Sequence, residues 1–357
     1  MGEGGGQVLR SSLAYSLLTS TPFRVTNIRA KRARPGLMRQ HLVAVNAATQ
    51  IGDGEVSGAE LGSTELVFRP KGIRSGDYTF SIGGAGSTTL VFQTILFPLM
   101  LGAKEPSVVT FEGGTHNPMA PPVPFLERAF LPVLARMGGR VDVTFERYGF
   151  YPAGGGRWTA TIYPAATLER LELLHRGEVR ARSATALVAQ IPPAVAVREI
   201  DTLSTALGWD RAWSRPHMIE NSHGPGNALL ATVESQHVTE VFTGFGERGV
   251  RAEVIAETLA REILHYLAAD VPVGQHLADQ LLLPMALGGG GSFRTVKPSA
   301  HSLTQLDLAR IFLAVDGAIT WEAGDAWRAE VAHGGWASSR PGSGGRRDES
   351  AVGAPAS

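Results

Sequence analysis

The sequence predicts an α/β fold assembled from repeated helix–strand units. Apolar segments of helical length alternate with short runs rich in β-branched and aromatic residues, an order typical of α/β architecture. The 43 glycines of the 357-residue chain are clustered between these segments. A long central stretch departs from the pattern, with fewer glycines and strand and helix signals of its own. We therefore expect a large domain of repeated units that carries a small inserted α/β domain.

Five helix–strand pairs follow one another along the chain. The helical segments are residues Gln7–Leu18, Ser87–Met100, Pro122–Met137, Leu277–Leu287 and Ser302–Val315. The strand-like runs that follow them in turn are residues 22–30, 106–114, 140–149, 292–298 and 317–324. A further strand, RWTATIYP (157–164), is expected to form a hairpin with its predecessor, and LMRQHLVAVNAATQIG (37–52) is typical of a helix.

The composition of each stretch predicts the domain limits. Residues 1–172 and 267–336 would form a discontinuous large domain, and residues 173–266 the inserted small domain. The segment 337–357 is rich in Gly, Ser, Pro and charged residues with almost no apolar anchor, which favours a disordered tail.

Composition also excludes several classes of function. Lysine plus arginine and aspartate plus glutamate each number 33, so the net charge of zero argues against a partner held by overall charge alone. The absence of cysteine excludes disulfides, thiolate zinc sites, iron–sulfur clusters and a cysteine nucleophile. The apolar segment Thr89–Ala103 contains a proline and is shorter than the about 20 residues that span a bilayer. It predicts a buried helix, and we expect no membrane association and a cytoplasmic location.

A cluster of basic residues lies between residues 28 and 41, where Pro35–Gly36 predicts a turn before the next helix. Its members are Arg29, Lys31, Arg32, Arg34 and Arg39. Arginine at a turn and helix start is suited to bidentate contacts with phosphate. A solvent-exposed basic face is an equally good interpretation of the spacing.

Two helix starts carry further candidate residues. Asp279 and Gln280 lie in the first turns of an apolar helix, where they would either complement the helix dipole or face a ligand. His301 lies beside Ser299 and Ser302, two candidate N-cap residues. A helix N-terminus disfavours the imidazolium, and the neutral ring can attack phosphorus. Because the chain has ten histidines, a structural role for His301 also stays open.

Seven segments in order carry a family resemblance. They are GEGGGQVLRSSL, RAKRARPGLMRQHL, GGAGSTTLVFQT, EGGTHNPMAPP, RYGFYPAGGG, HLADQLLLPMAL and PSAHSLTQ. Together they resemble the RNA 3′-terminal phosphate cyclase family over residues 2–324. The resemblance implies a large domain of repeated βαβαββ units, like the C-terminal domain of translation initiation factor three, and a small inserted domain. It also implies conversion of an RNA 3′-phosphate and ATP into a 2′,3′-cyclic phosphate, AMP and pyrophosphate.

Site residues follow from the same resemblance. His301 matches the nucleophile that becomes adenylylated, with Mg²⁺ or Mn²⁺ as the assisting cation and Glu3 near the metal. The remaining residues would surround ATP, its phosphates or the RNA terminal phosphate. They are Arg10, Arg29, Arg32, Arg39, Gln40, Gln93, Pro121, His276, Leu277, Ala278, Asp279 and Gln280. Of these, His276 and Pro121 would pack on the adenine.

One departure and two alternatives accompany this interpretation. Family members usually carry about ten residues before the glycine-rich loop, forming a first strand, whereas only Met1 precedes it here. Either translation starts upstream of Met1 or the first strand is missing, and a missing strand would leave Glu3 at a fraying terminus. The first alternative is a non-catalytic cyclase-like scaffold for RNA processing, and the second is an enolpyruvyl transferase of similar repeats. The nucleophile favours the enzyme, which would act on RNA 3′ ends bearing a terminal phosphate. The oligomeric state is left open, a homodimer being one option.

Overall fold

A computed structural model describes residues 5–334 of the chain. It confirms the α/β class, with helices packed on several mixed sheets. Two sequence-based expectations, the metal-proximal Glu3 and the tail 337–357, lie outside the described residues.

The first unit contains two helices and a three-stranded antiparallel sheet. The helices are α1 (Gly6–Thr19) and α2 (Arg39–Ile51). The strands are β1 (Phe23–Val25), β2 (Glu55–Ser57) and β3 (Leu66–Arg69), in the order β1-β3-β2. The strand predicted over residues 22–30 is therefore much shorter. The chain turns after β1, with positive φ at Asn27 and Arg29, and the amide of Ile28 bonds to the carbonyl of Thr64.

The second unit has a four-stranded sheet in the order β4-β5-β7-β6. Its strands are β4 (Asp77–Ser81), β5 (Ser107–Gly113), β6 (Val141–Arg147) and β7 (Gly156–Ile162). Helix α3 (Thr88–Gly102) connects β4 to β5 and is buried over most of its length, as its apolar sequence predicts. The indole of Trp158 on β7 donates to the Thr88 hydroxyl at 2.9 Å, which joins sheet and helix in the core.

The segment predicted as one helix over Pro122–Met137 is divided in the structure. A short turn α4 (Val123–Phe125) leads into a π-helical turn (Leu126–Phe130), and α5 (Leu131–Arg136) follows. Pro132 lacks an amide hydrogen and cannot make the regular bond to the preceding turn. The wider π-turn, closed by the amide of Leu131 on the carbonyl of Leu126, accommodates this loss.

An insertion follows the short strand β8 (Leu171–Leu173). It contains β9 (Val179–Ala189), α6 (Ala194–Leu207), β10 (Ser214–Ile219), β11 (Gly226–Ser235), β12 (Thr239–Phe245) and α7 (Ala252–Ala269). Its sheet has the order β10-β9-β11-β12, and α6 and α7 pack on it around a second hydrophobic core. The elements of the insertion thus extend from Val179 to Ala269, a few residues later at each end than the predicted limits.

The third unit, which is the last in the described part of the chain, has a four-stranded sheet in the order β8-β13-β15-β14. Its later elements are α8 (Gln275–Leu287), β13 (Gly291–Thr295), α9 (Ala300–Leu313), β14 (Gly317–Ala323) and β15 (Ala326–Val331). In the sheets of the second and third units, the first two strands along the chain (β4 with β5, and β8 with β13) pair in parallel. The remaining pairs in these two sheets are antiparallel. The first sheet repeats this arrangement without a counterpart of β4 or β8 among residues 5–334.

Candidate active site

A cavity of about 380 Å³ lies where α1, α3, α8 and α9 meet. This volume is within the range of small-molecule sites. Its polar walls are formed by Gln7, Arg10, Gln93, Asp279, Gln280 and His301. Its apolar walls include Leu96, Phe97, Pro121, Phe125 and Phe245. Residues that are far apart in the sequence therefore converge on one concave surface.

His301 lies in the first turn of α9, as its sequence context predicts. Ser299 is the N-cap, and its hydroxyl oxygen accepts the amide hydrogens of His301 (3.0 Å) and Ser302 (3.1 Å). The imidazole lies at the cavity wall and is solvent-accessible. The positive end of the α9 dipole favours negative charge at this position.

Asp279 connects α8 to the start of α9. Its Oδ1 accepts hydrogen bonds from the hydroxyls of Ser299 and Ser302, both at 2.6 Å. Burial raises the pKa of the Asp279 carboxyl, while the two serine hydroxyls and the nearby histidines oppose this shift. The carboxylate therefore fixes the N-terminus of the helix that carries His301, instead of capping its own helix.

Gln7, in the first turn of α1, contacts His301 twice. Its Oε1 is 2.5 Å from the imidazole Nδ1, and its Nε2 donates to the main-chain carbonyl of His301 at 3.3 Å. Sequence reasoning did not identify Gln7 as a site residue, because 294 positions separate it from its partner. Its place directly after the glycine-rich loop was the available signal.

Arg10 places a cation at the cavity wall, and no hydrogen bond or ion pair engages it within residues 5–334. Burial lowers the pKa of its guanidinium to about 10, so the group stays charged at neutral pH. A desolvated cation without a counter-charge is suited to an anionic ligand.

Gly6, at the end of the glycine-rich loop, leaves room for Arg10 and for the buried side chain of His41. A Cβ on Gly6 would lie 2.4 Å from the His41 Nε2 and 2.8 Å from an Arg10 Nη1. Burial, together with the Arg10 and Arg29 charges, lowers the pKa of His41 to about 3, so this ring is neutral. Its Nδ1 accepts the Met38 amide hydrogen at 3.1 Å. Gly6 thus permits close packing around Arg10.

The other predicted phosphate ligands lie outside the cavity lining. Arg29 donates to the carbonyls of Arg34 (2.6 Å) and Gly36 (3.1 Å) and holds the turn before α2. In that turn Gly36 has φ +81° and approaches Gly62 more closely than any side chain allows. Arg32 and Arg39 are exposed, and Arg39 donates to the Gly83 carbonyl at 3.3 Å.

Gln40 is likewise engaged in the structure itself. Its Oε1 accepts the amide hydrogen of Ser87, the N-cap of α3, at 3.1 Å. The basic segment around α2 therefore braces the loops on one side of the site, and neither Arg29 nor Gln40 lines the cavity.

Helix α8 divides its predicted residues between two faces. His276, Asp279 and Gln280 line the cavity, whereas Leu277 and Ala278 are buried in the core and do not line it. The Gln93 amide on α3 donates to Gln280 Oε1 across the cavity. Outside the cavity, the His276 Nε2 lies 3.8 Å from a carboxylate oxygen of Glu262 on α7.

The insertion supplies a wall that sequence reasoning missed. Val241, Thr243 and Phe245 on β12 line the cavity, since alternate residues of a strand share one face. Glu240, the residue before Val241, is buried and accepts the amide hydrogen of Gly274, the N-cap of α8, at 2.5 Å. This bond ties the insertion to the helix that carries His276 and Asp279.

The described residues do not fit a metal site built by the protein alone. Within residues 5–334, no group of three His, Asp or Glu side chains is placed to hold a metal ion. Asp279, the carboxylate at the cavity, is already bonded to two serines.

Comparison with known proteins places this chain in a family. The family model of the RNA 3′-terminal phosphate cyclases matches residues 1–319. The chain belongs to the RNA 3′-terminal phosphate cyclase family. Membership confirms the resemblance read from the seven sequence segments and agrees with the observed α/β units.

Three relatives of this chain are about half identical to it in sequence. The protein of Koribacter versatilis (strain Ellin345), named RNA 3′-terminal phosphate cyclase, is 50% identical over 321 residues, which cover 90% of each chain. Proteins of the same name from Ectopseudomonas mendocina and Ralstonia nicotianae are 48% and 50% identical, over 88% of this chain and 91% and 90% of theirs.

Among residues 5–334, no helix is long and apolar enough to cross a membrane.

Proposed function

We propose that this protein converts an RNA 3′-terminal phosphate into a 2′,3′-cyclic phosphate, with ATP as co-substrate and a covalent histidine–AMP intermediate. The observation that carries the proposal is the cavity in which His301 lies together with Arg10, which has no partner among residues 5–334. A nucleophile, a helix N-terminus and a desolvated cation in one concave site suit attack on a polyphosphate.

The first step forms a bond from an imidazole nitrogen of His301 to the α-phosphorus of ATP. The bond from that phosphorus to the bridging oxygen of the β-phosphate breaks, and pyrophosphate leaves. Arg10 and the α9 N-terminus stabilise the negative charge that develops on the phosphate oxygens. Asp279 contributes by fixing the first turn of α9 through Ser299 and Ser302.

The adenine would occupy the apolar part of the cavity. His276 and Pro121 line it and can pack on a base, and Phe245 supplies a further apolar surface from the insertion. Gln93 and Gln280 present amide groups that can bond to the nucleotide, since both line the cavity.

The second and third steps concern the RNA end. An oxygen of the 3′-phosphate attacks the phosphorus of the histidine–AMP, the P–N bond breaks, and an RNA–AMP anhydride forms. The neighbouring 2′-OH then attacks the terminal phosphorus, loses its proton and displaces AMP, closing the ring. Adenylylation is needed because a phosphate monoester lacks a good leaving group, and the adjacent hydroxyl is already close. Recognition would rest on the terminal phosphate and 2′-OH.

The remaining expectations belong to the same proposal. Glu3 would approach a Mg²⁺ or Mn²⁺ ion that the ATP phosphates hold, since carboxylate and phosphate oxygens are the ligands these ions prefer. With ATP and RNA ends as substrates, we place the reaction in the cytoplasm.

The test uses ATP that carries a radioactive α-phosphate. We expect the wild-type protein to retain label after denaturation, through a bond that is acid-labile and alkali-stable, and the His301→Ala variant to remain unlabelled. The wild type should then convert a 3′-phosphorylated RNA into a phosphatase-resistant product. Label on the His301→Ala variant would refute the role of His301. An unlabelled wild type, with RNA binding retained, would favour the non-catalytic scaffold.

A further inference from the structure

We propose that Gln7 is a positioning residue that holds His301 in a single tautomer, with the proton on Nδ1 and the lone pair on Nε2. The inference rests on the proposed role of His301 as nucleophile. It concerns a residue that the site expectations above do not include.

The two contacts of Gln7 fix the orientation of its amide. The main-chain carbonyl of His301 can only accept a hydrogen bond, so the amide NH₂ of Gln7, 3.3 Å away, must face it. The amide oxygen must then face the imidazole Nδ1 at 2.5 Å. The reverse orientation would set the two carbonyl oxygens against each other. The carbonyl thus decides which end of the amide meets the ring.

The orientation of the amide in turn fixes the tautomer of the imidazole. An amide oxygen only accepts, so Nδ1 must carry the proton that it donates to Gln7. In the neutral ring the lone pair then lies on Nε2. Within residues 5–334 no other hydrogen bond to the ring is present, so Nε2 is free to attack.

The same contact stabilises the ring during the reaction. When the Nε2 lone pair forms the P–N bond and the bond to pyrophosphate breaks, the imidazole gains a positive charge. The Nδ1–H stays bonded to the Gln7 oxygen, which carries a partial negative charge. Without Gln7 the ring could adopt the other tautomer, whose lone pair on Nδ1 points back towards α1.

The first experiment reads the tautomer directly. Protein labelled with ¹⁵N-histidine is compared by long-range ¹H–¹⁵N spectra as wild type, Gln7→Met and Gln50→Met, with His301→Ala to assign the His301 signals. Methionine has a similar length to glutamine but neither donates nor accepts strongly, and Gln50 is an exposed residue of α2. We expect a protonated Nδ1 in the wild type and Gln50→Met, and a mixture of tautomers in Gln7→Met.

The second experiment measures the rate of adenylylation. We expect Gln7→Met to lower the maximal rate at least about tenfold with little change in the KM for ATP, since loss of the correct tautomer costs as much as about 10⁴ in serine proteases. Gln7→Glu retains an acceptor for Nδ1–H and should restore the Nδ1-protonated tautomer and part of the rate. Gln50→Met should match the wild type.

The outcomes separate this inference from the proposed function. A Gln7→Met protein that keeps a protonated Nδ1 and the wild-type rate would overturn the inference and leave the function standing. A wild type that shows the protonated Nδ1 but takes up no label would refute the function and leave the tautomer assignment intact. An Nδ1 without a proton in the wild type would overturn the inference directly.

Discussion

Arg10 shows what a single residue contributes, because its charge lies half-buried at the cavity wall without a counter-charge among residues 5–334. We predict that Arg10→Met will leave the Tm of the nucleotide-free protein unchanged or raise it, since partial desolvation of a charge without a partner is costly. The same variant should raise the KM for ATP roughly 10- to 100-fold, the effect of losing a charged hydrogen bond. Thermal melts with and without ATP, together with adenylylation kinetics, measure both effects. A lower Tm together with an unchanged KM for ATP would contradict this prediction.

Asp279 positions His301 through Ser299 and Ser302. Substitutions that keep its acceptor oxygen should therefore differ in effect from substitutions that remove it. Asp279→Asn keeps an acceptor oxygen for Ser299 and Ser302, whereas Asp279→Ala removes it. We predict that the alanine variant lowers the rate of adenylylation by up to about 100-fold through displacement of His301. The asparagine variant should lose much less.

The control for Asp279 is Asp307→Ala, an exposed position on α9, the helix that carries His301. It should retain the wild-type rate of label transfer. Equal losses in Asp279→Asn and Asp279→Ala would show that the negative charge matters, and not the acceptor geometry.

Among the secondary-structure elements, the N-terminus of α8 depends on the buried carboxyl group of Glu240 on β12, a strand of the insertion. Burial raises the pKa of Glu240 to about 8; the nearby Glu262 raises it further, and the Gly274 amide opposes the shift. An acid with a raised pKa in the folded state contributes stability that is complete below its unfolded pKa, near 4.5, and is lost as the pH rises through about 8.

We predict that Glu240→Gln flattens the decline of stability with pH between about pH 5 and 9, since each pKa unit corresponds to about 1.4 kcal/mol. Glutamine keeps an oxygen for the Gly274 amide and carries no charge. Denaturant melts across this range measure the slope, with the exposed Glu234→Gln as control. Glu199, whose pKa burial raises to about 7, should leave a residual slope. An unaltered slope in Glu240→Gln would speak against the buried carboxyl as its source.

At the scale of the whole molecule, the cavity is shared by the repeated units and the insertion. Phe245 on β12 lines the same cavity as His301 on α9. We predict that Phe245→Ala raises the KM for ATP by about tenfold with little change in maximal rate, because it removes apolar contact from the base pocket.

The control for Phe245 is Trp213→Ala, an exposed aromatic residue of the same insertion that does not line the cavity. It should leave the KM for ATP unchanged. An effect of Phe245→Ala on maximal rate alone would mean that β12 does not contact the base.

The sequence by itself determined the repeated α/β units, the insertion and the helix start at His301. Apolar periodicity and glycine clusters are local signals, so α1, α3 and α9 could be predicted to within a few residues. The division of residues 123–136 was missed, because helical periodicity does not show how a proline is accommodated.

Only the tertiary structure decided which of the candidate residues share the cavity. It placed Arg10, Gln93, His276, Asp279, Gln280 and His301 on common walls, and assigned Arg29 and Gln40 to loop contacts. It also added Gln7 and Phe245, which lie on elements distant in the chain from α9. The physical reason is that a hydrogen bond or an apolar wall depends on the packing of whole elements, and local sequence carries no record of which side chains that packing brings within reach.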